Sequence, residues 1–368
     1  MKIKRYNYPA QFGDRLNGLA KEIEKMLVSG HYVLSQQVSD FEAEFAKFLG
    51  VKYVLGVNSG TDALLLALMA SGIGPGDEVI TQANTFHATV AAICLCGAKP
   101  VLVDVTDDSF QINVDQIEQA ISSRTKAIVP VHLYGYPQPL DTIKQIAEQN
   151  DFALIEDAAQ AHGALVNKVR VGAIGSIGCF SFHPSKNLAA AGDGGAIATN
   201  SDEIASRVRE LRSLGQASQN NHVKIGLNSK LDAIQAAVLN SKLPSLDQWN
   251  QQRREVATLY RDRLSGLPLS FQSGENIQSS VFHLFQTRTR RRNQLLEFLR
   301  DNQVDAVTRY PVAIHLQPSF VDCGWKLGQF PVAEQLADEL LCLPIRPDME
   351  VDEVDFVCDK VHDFFQDI

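Results

Sequence analysis

Ala153-Leu154-Ile155-Glu156-Asp157-Ala158-Ala159-Gln160-Ala161-His162-Gly163 is the stretch that decides the fold. An apolar run of strand length delivers two adjacent carboxylates and then breaks into small residues, the form of a buried strand ending at a ligand-facing edge. Successive strand residues point to opposite faces, so only one of Glu156 and Asp157 can face a given site. Outward from this stretch, β-branched runs recur at residues 53–57, 78–81, 100–105, 127–131, 177–182 and 195–199. Between them lie stretches with apolar positions at three- and four-residue intervals, including 63–70, 114–121 and 140–149. This alternation predicts an α/β fold built on a large, mostly parallel, seven-stranded sheet. After Asn228 comes a long helical stretch, 231–264, broken by Pro244, then a Gly/Pro/Ser turn at 266–274 and a mixture of short strands with helices at 291–302 and 351–365. The expected division is a large domain, 1–245, with an N-terminal helical segment, and a smaller α/β domain, 246–368.

Composition narrows the function classes. Lys plus Arg (34) against Asp plus Glu (43) gives a net charge of -9, which argues against a nucleic-acid partner. The longest uninterrupted apolar run, 63–70, is far shorter than a bilayer requires, so no membrane span is expected. The first residues carry Lys2, Lys4, Arg5 and Arg15 with no apolar stretch behind them, which predicts no secretory signal and a cytoplasmic location. The six cysteines have no Cys-x-x-Cys pair, and His87, His132, His162 and His183 lack metal spacing, so no metal site is expected. Neither glycine cluster, at 172–178 or 192–195, has dinucleotide-binding spacing.

Four strand ends carry polar groups that packing does not require. Asn58-Ser59-Gly60-Thr61 opens an apolar helix, where backbone N–H groups and two hydroxyls can cradle a phosphate; Ser59 or Thr61 can equally be a plain helix cap. At the second, Asp157 can hold a ring nitrogen protonated, or can cap a helix beside a solvated Glu156. The third, Phe180-Ser181-Phe182-His183-Pro184-Ser185-Lys186, places a lysine just past an aromatic strand. In an apolar pocket that amine can form a Schiff base with an aldehyde; on a surface it is merely solvated. The fourth, residues 82–89, offers Phe86 either to the core or to the face of a flat ring. Together the four supply the handles of pyridoxal 5′-phosphate: a phosphate cradle, a stacking ring, a carboxylate for the pyridine nitrogen and a lysine for the aldehyde.

These segments, with residues 74–80, 125–135, 192–195 and 341–344, resemble the sugar aminotransferases of the DegT/DnrJ/EryC/StrS type over almost the whole chain. The resemblance implies the aspartate-aminotransferase-like fold and an enzyme that moves an amino group from an amino acid, glutamate by family analogy, to a keto sugar. That sugar would be nucleotide-linked, a 3-keto or 4-keto-6-deoxy hexose, in amino-sugar biosynthesis. Lys186 would be the Schiff-base lysine and Asp157 the partner of the pyridine nitrogen. Ser59, Gly60, Thr61 and Ser181 would hold the phosphate, Phe86 would stack on the ring, and Gln160 would lie near its hydroxyl. Asn228 would reach the phosphate of a neighbouring subunit, making a homodimer with shared sites; nothing in the sequence returns residues 226–230 to their own cradle. Tyr32, His183, Tyr310 and His315 are candidates for the substrate side. Alternatives within the same resemblance are a sugar dehydratase, an aminocyclitol aminotransferase and a non-catalytic regulatory relative; Lys186 argues against the dehydratases, which carry His there. Departures from the family pattern gather on the substrate side: Lys230 replaces a usual Arg, Ser35 a common Gly, Arg309 a more usual His, and Ala313 a Pro.

Overall fold

The computed structural model describes residues 1–274 and 277–366. Its main sheet has seven strands, β1 (Tyr53–Val57), β2 (Glu78–Gln82), β3 (Lys99–Val103), β4 (Thr125–Val129), β5 (Ala153–Asp157), β6 (Ile177–Ser181) and β7 (Gly195–Thr199), in the spatial order β1-β7-β6-β5-β4-β2-β3. β2 through β6 run parallel, and β7 is antiparallel to both β6 and β1. The carboxyl ends of β1, β2, β5 and β6 and the amino end of β7 therefore meet at one edge. β2 and β7 are buried along their whole length, as expected where helices cover both faces. β7 starts on Gly195 because a Cβ there would lie 2.2 Å from the Ser59 carbonyl oxygen.

The predicted helical stretch 231–264 is two helices, Ala233–Lys242 and Leu246–Arg263, with Pro244 in the turn between them. The second helix links two cores. Leu246 packs with Phe41, Phe45, Phe180 and Phe182 beside the main sheet. Val256, Ala257 and Tyr260 pack instead with Phe285, Leu341, Leu343 and Val361 of a C-terminal unit. That unit has three antiparallel strands, Ser270–Phe271, Phe285–Arg288 and Leu340–Leu343, backed by the helices Arg292–Asp301 and Val351–Gln366. Each fully buried side chain of this kind contributes about 1.5–3 kcal/mol, so two separate clusters suffice for two units. We propose a division at 245/246, crossed by Ile3, which is wholly buried in the C-terminal core and pairs with Val304, and by a further cluster in which Ala83, Val90 and Val131 pack with Leu284, Ile314 and Leu336.

Glu156 is not the solvated partner of a capping aspartate. It is fully buried and accepts four hydrogen bonds, from the backbone N–H groups of Gly172 (2.6 Å), Ile174 (2.8 Å) and Gly175 (2.6 Å) and from His132 Nε2 (3.1 Å). His132 Nδ1 accepts from Gln138 N–H, so Nε2 is the ring nitrogen that carries the hydrogen. This carboxylate ties the loop before β6 to the end of β5 and sets the spacing of those strands' carboxyl ends. Glu156→Gln keeps the shape but sets an amide donor against backbone N–H donors. It should lower the unfolding free energy by about 3 kcal/mol in denaturant titration; an unchanged midpoint would show that the loop holds without the charge.

Candidate active site

At the sheet edge lies a cleft of about 240 Å³ whose walls include Gly60, Thr61, Phe86, Asp157, Gln160, Ser181, His183, Lys186 and Tyr310. Each arrives for a local reason. Gly60 begins the helix Gly60–Ala70 and touches the end of β6: a Cβ on it would lie 2.6 Å from Ser181 Cβ. The helix start, with its free N–H groups, thereby faces the Ser181 hydroxyl. Ser59 itself is the N-cap, its Oγ accepting from Asp62 N–H at 3.0 Å, and it stands outside the cleft wall.

Asp157 is 4% exposed. Its Oδ2 accepts from Thr89 Oγ1 at 2.8 Å and its Oδ1 from Ala159 N–H at 3.1 Å. Thr89 is in turn 2.9 Å from Thr85 Oγ1, so a short hydroxyl chain steadies the carboxylate. Burial raises the Asp157 pKa, opposed by those two donors and by the charge of Lys186. Lys186 is pushed the other way: desolvation brings its amine down to about 8, with Asp157 resisting and Arg309 assisting.

Phe86 is 44% exposed, against its default place in a core, and its ring sits 5.2 Å from that of Tyr310. Gln160 is pinned at both ends, Oε1 accepting from Tyr134 N–H at 2.7 Å and Nε2 donating to the Tyr310 hydroxyl at 3.2 Å. His183 lies at the mouth with Nδ1 2.9 Å from Ser185 Oγ.

Besides Ser59, three expected residues stand outside this wall. Tyr32 is 45% exposed and donates to the Leu27 carbonyl. His315 is buried against Phe330, with Nε2 2.8 Å from Glu334 Oε1. Asn228 is exposed, and its segment does return to its own chain. Asn58 Nδ2 donates to the Asn228 carbonyl at 3.1 Å, and Ser229 Oγ donates to Asp62 Oδ2 at 2.6 Å. Polar groups on the helix after β1 draw it back, which sequence separation alone does not reveal.

Other wall residues went unmarked: Tyr6, Asp193, His283 and, except as a departure from pattern, Arg309. Asp193 belongs to the glycine cluster before β7. Tyr6 comes from the N-terminal segment, which hydrogen bonds bind to the C-terminal unit. Thr89 lies in a quoted segment, but its bond to Asp157 spans 68 residues and has no sequence signal. Among the described residues no group of His, Cys, Asp and Glu is placed to hold a metal ion, and no helix is long and apolar enough to cross a membrane.

Residues 17–362 match the model of the DegT/DnrJ/EryC1/StrS aminotransferase family. The chain belongs to that family. Similar curated proteins include a pleiotropic regulatory protein of Geobacillus stearothermophilus, 38% identical over 100% of this chain and 99% of the relative. Another is the dTDP-3-amino-3,4,6-trideoxy-alpha-D-glucose transaminase of Streptomyces venezuelae, 42% identical over 93% of this chain and 90% of the relative. The crystal structure of S. venezuelae DesV in complex with a ketimine intermediate superposes with a TM-score of 0.96 at 39% identity, covering 100% of this chain and 99% of that one. The large, mostly parallel sheet is thus the aminotransferase fold of the DegT/DnrJ/EryC1/StrS members, as the sequence resemblance implied.

The geometry makes Lys186 an amine that is protonated below about pH 8 and a free base above it. Acylation of Lys186 in the cofactor-free protein, followed by peptide mass spectrometry, should rise through a midpoint near 8. In Asp157→Asn, which removes the anion favouring the charged amine, the midpoint should move lower. A midpoint near the 10.5 of an unperturbed lysine would contradict the burial argument.

Proposed function

We propose that this protein transfers an amino group from glutamate to C3 of a keto sugar carried on a nucleotide, with pyridoxal 5′-phosphate held by Lys186. The observation that carries the reading is the juxtaposition of a buried carboxylate, Asp157, with a lysine of lowered pKa, Lys186, in one cleft. The walls fit that cofactor: Gly60 leaves beside Ser181 a space that a Cβ would fill, and Phe86 exposes a ring to the cleft. The choice of C3 and of a nucleotide carrier is supported by the name of the Streptomyces relative.

When bound, the cofactor supplies an electrophilic aldehyde and a pyridinium ring that withdraws electrons. The Gly60 and Thr61 N–H groups and Ser181 Oγ would hold its phosphate, and Phe86 would cover one ring face. Asp157, kept in position by Thr89 and Ala159 N–H, would hold the proton on the pyridine nitrogen. Gln160, fixed by Tyr134 and Tyr310, fixes the ring hydroxyl. Lys186 Nζ, as a free amine, would take the proton from the donor's α-carbon in the first half and give a proton to the sugar carbon in the second. A regulatory relative would have no use for an amine tuned in this way. We also propose that Asn228, exposed beside the apolar Val223 and Ile225, serves a second copy of the chain, so that the working form is a homodimer.

The test is incubation of the purified protein with glutamate and with dTDP- and UDP-linked 3-keto and 4-keto sugars, followed by mass spectrometry. Amino sugar should form from a 3-keto substrate. Product from 4-keto sugars alone would overturn the assignment of the carbon, and no product from any would overturn the substrate class. Asp157→Asn should retain the cofactor and lose at least about a hundredfold in kcat, on the order of 3 kcal/mol in the barrier.

A further inference from the structure

Arg309 brings a guanidinium into the cleft without a counter-ion. The residue is half-buried on the same wall as Lys186 and Tyr310. Among the described residues its side chain forms no ion pair and no hydrogen bond. The buried arginines are matched, Arg212 with Glu42, Arg346 with Asp348 and Glu353, Arg253 with the carbonyls of Phe282 and Ile345 and Arg292 with that of Leu340, and so is the half-buried Arg288, with Asp107 and Glu339. The main chain at Arg309 is anchored, because its carbonyl accepts from the Tyr134 hydroxyl at 2.9 Å and Val307 bridges to Cys342. The side chain thus projects from a fixed base.

The carboxylates of the cleft do not answer this charge. Asp157 is committed to Thr89 and Ala159 N–H, and among the described residues neither it nor Asp193 forms an ion pair with Arg309. Holding a partly desolvated cation unpaired is costly unless a ligand completes it. The planar fork of a guanidinium matches a carboxylate with two parallel N–H···O bonds. Arg309 is also near enough to Lys186 to lower that amine's pKa, so an anion seated on it lies beside the reacting centre. The α-carboxylate of an amino acid is bonded directly to the reacting carbon, whereas the diphosphate of a nucleotide sugar is attached at C1, farther from a reacting C3.

We propose that Arg309 binds the α-carboxylate of the amino donor, an inference that rests on the aminotransfer reading above. Once seated, the carboxylate also cancels the field that helps hold Lys186 down, so donor binding and the proton affinity of the amine rise together.

The experiment compares the parent holoenzyme with Arg309→Gln, measuring glutarate binding by calorimetry and KM separately for glutamate and the keto sugar. Glutarate affinity should fall at least about tenfold and the glutamate KM should rise to match, with the keto-sugar KM within about twofold. Arg309→Lys should recover part of the affinity. An unchanged thermal midpoint and cofactor absorbance would show that fold and loading survive; if the Gln variant does not fold, Arg309→Met gives the same reading. Glutarate affinity within about twofold of the parent would overturn the proposal, as would a KM rise confined to the nucleotide sugar, which would assign Arg309 to the diphosphate. Should no keto sugar turn over, the substrate reading fails by itself, and the glutarate titration still decides Arg309.

Discussion

A carboxylate and an amine, Asp157 and Lys186, share a cleft largely out of water, and burial works on each in the direction that weakens its charge. Each charge resists that for the other, so neither residue has its observed character alone. Maintaining the pair places demands on everything around it. β5 and β6 run side by side in register, Asp157 opposite Cys179, so the loop after β6 brings Lys186 back over the end of β5. Glu156, one residue earlier and facing the other way, ties down the loop that leads into β6. One strand end thus supplies both the reactive carboxylate and the carboxylate that fixes its frame.

The cleft draws on two sources. Gly60, Thr61, Phe86, Asp157, Gln160, Ser181 and Lys186 come from the main sheet and the loops at its edge. Tyr6, His283, Arg309 and Tyr310 come from the C-terminal unit and the N-terminal segment bound to it. The two sources meet in one shared cluster: Tyr310 packs with Ala83, Val90 and Val131, its hydroxyl accepts from Gln160, and the Arg309 carbonyl accepts from the Tyr134 hydroxyl. Of the departures from the family pattern, Arg309 lines the cleft, whereas Ala313 is buried outside its wall.

What could be read from sequence follows the range of the forces involved. All seven strands of the main sheet were visible, because a β-branched run bounded by turns is a local signal, as was the break at Pro244. The antiparallel direction of β7 was not, since strand direction depends on the connection and not on the residues of Gly195–Thr199. Nine of the residues singled out for the site line one cleft, because strand-end motifs converge once the sheet forms. The return of residues 226–230 to Asn58 and Asp62, the burial of His315 with Glu334, the reach of Tyr6 and the bond from Thr89 to Asp157 are long-range pairings, which periodicity does not encode. Glu156 looked solvent-facing because its four partners lie at 132 and 172–175 and become donors only in the folded loop.

The proposed aminotransfer depends on Lys186 as the residue that carries the cofactor. Borohydride reduction of the protein loaded with pyridoxal 5′-phosphate, followed by digestion and peptide mass spectrometry, tests it directly. The label should sit on Lys186 and be lost in Lys186→Ala; a label on a different lysine, or none on a protein that has taken up the cofactor, would contradict it.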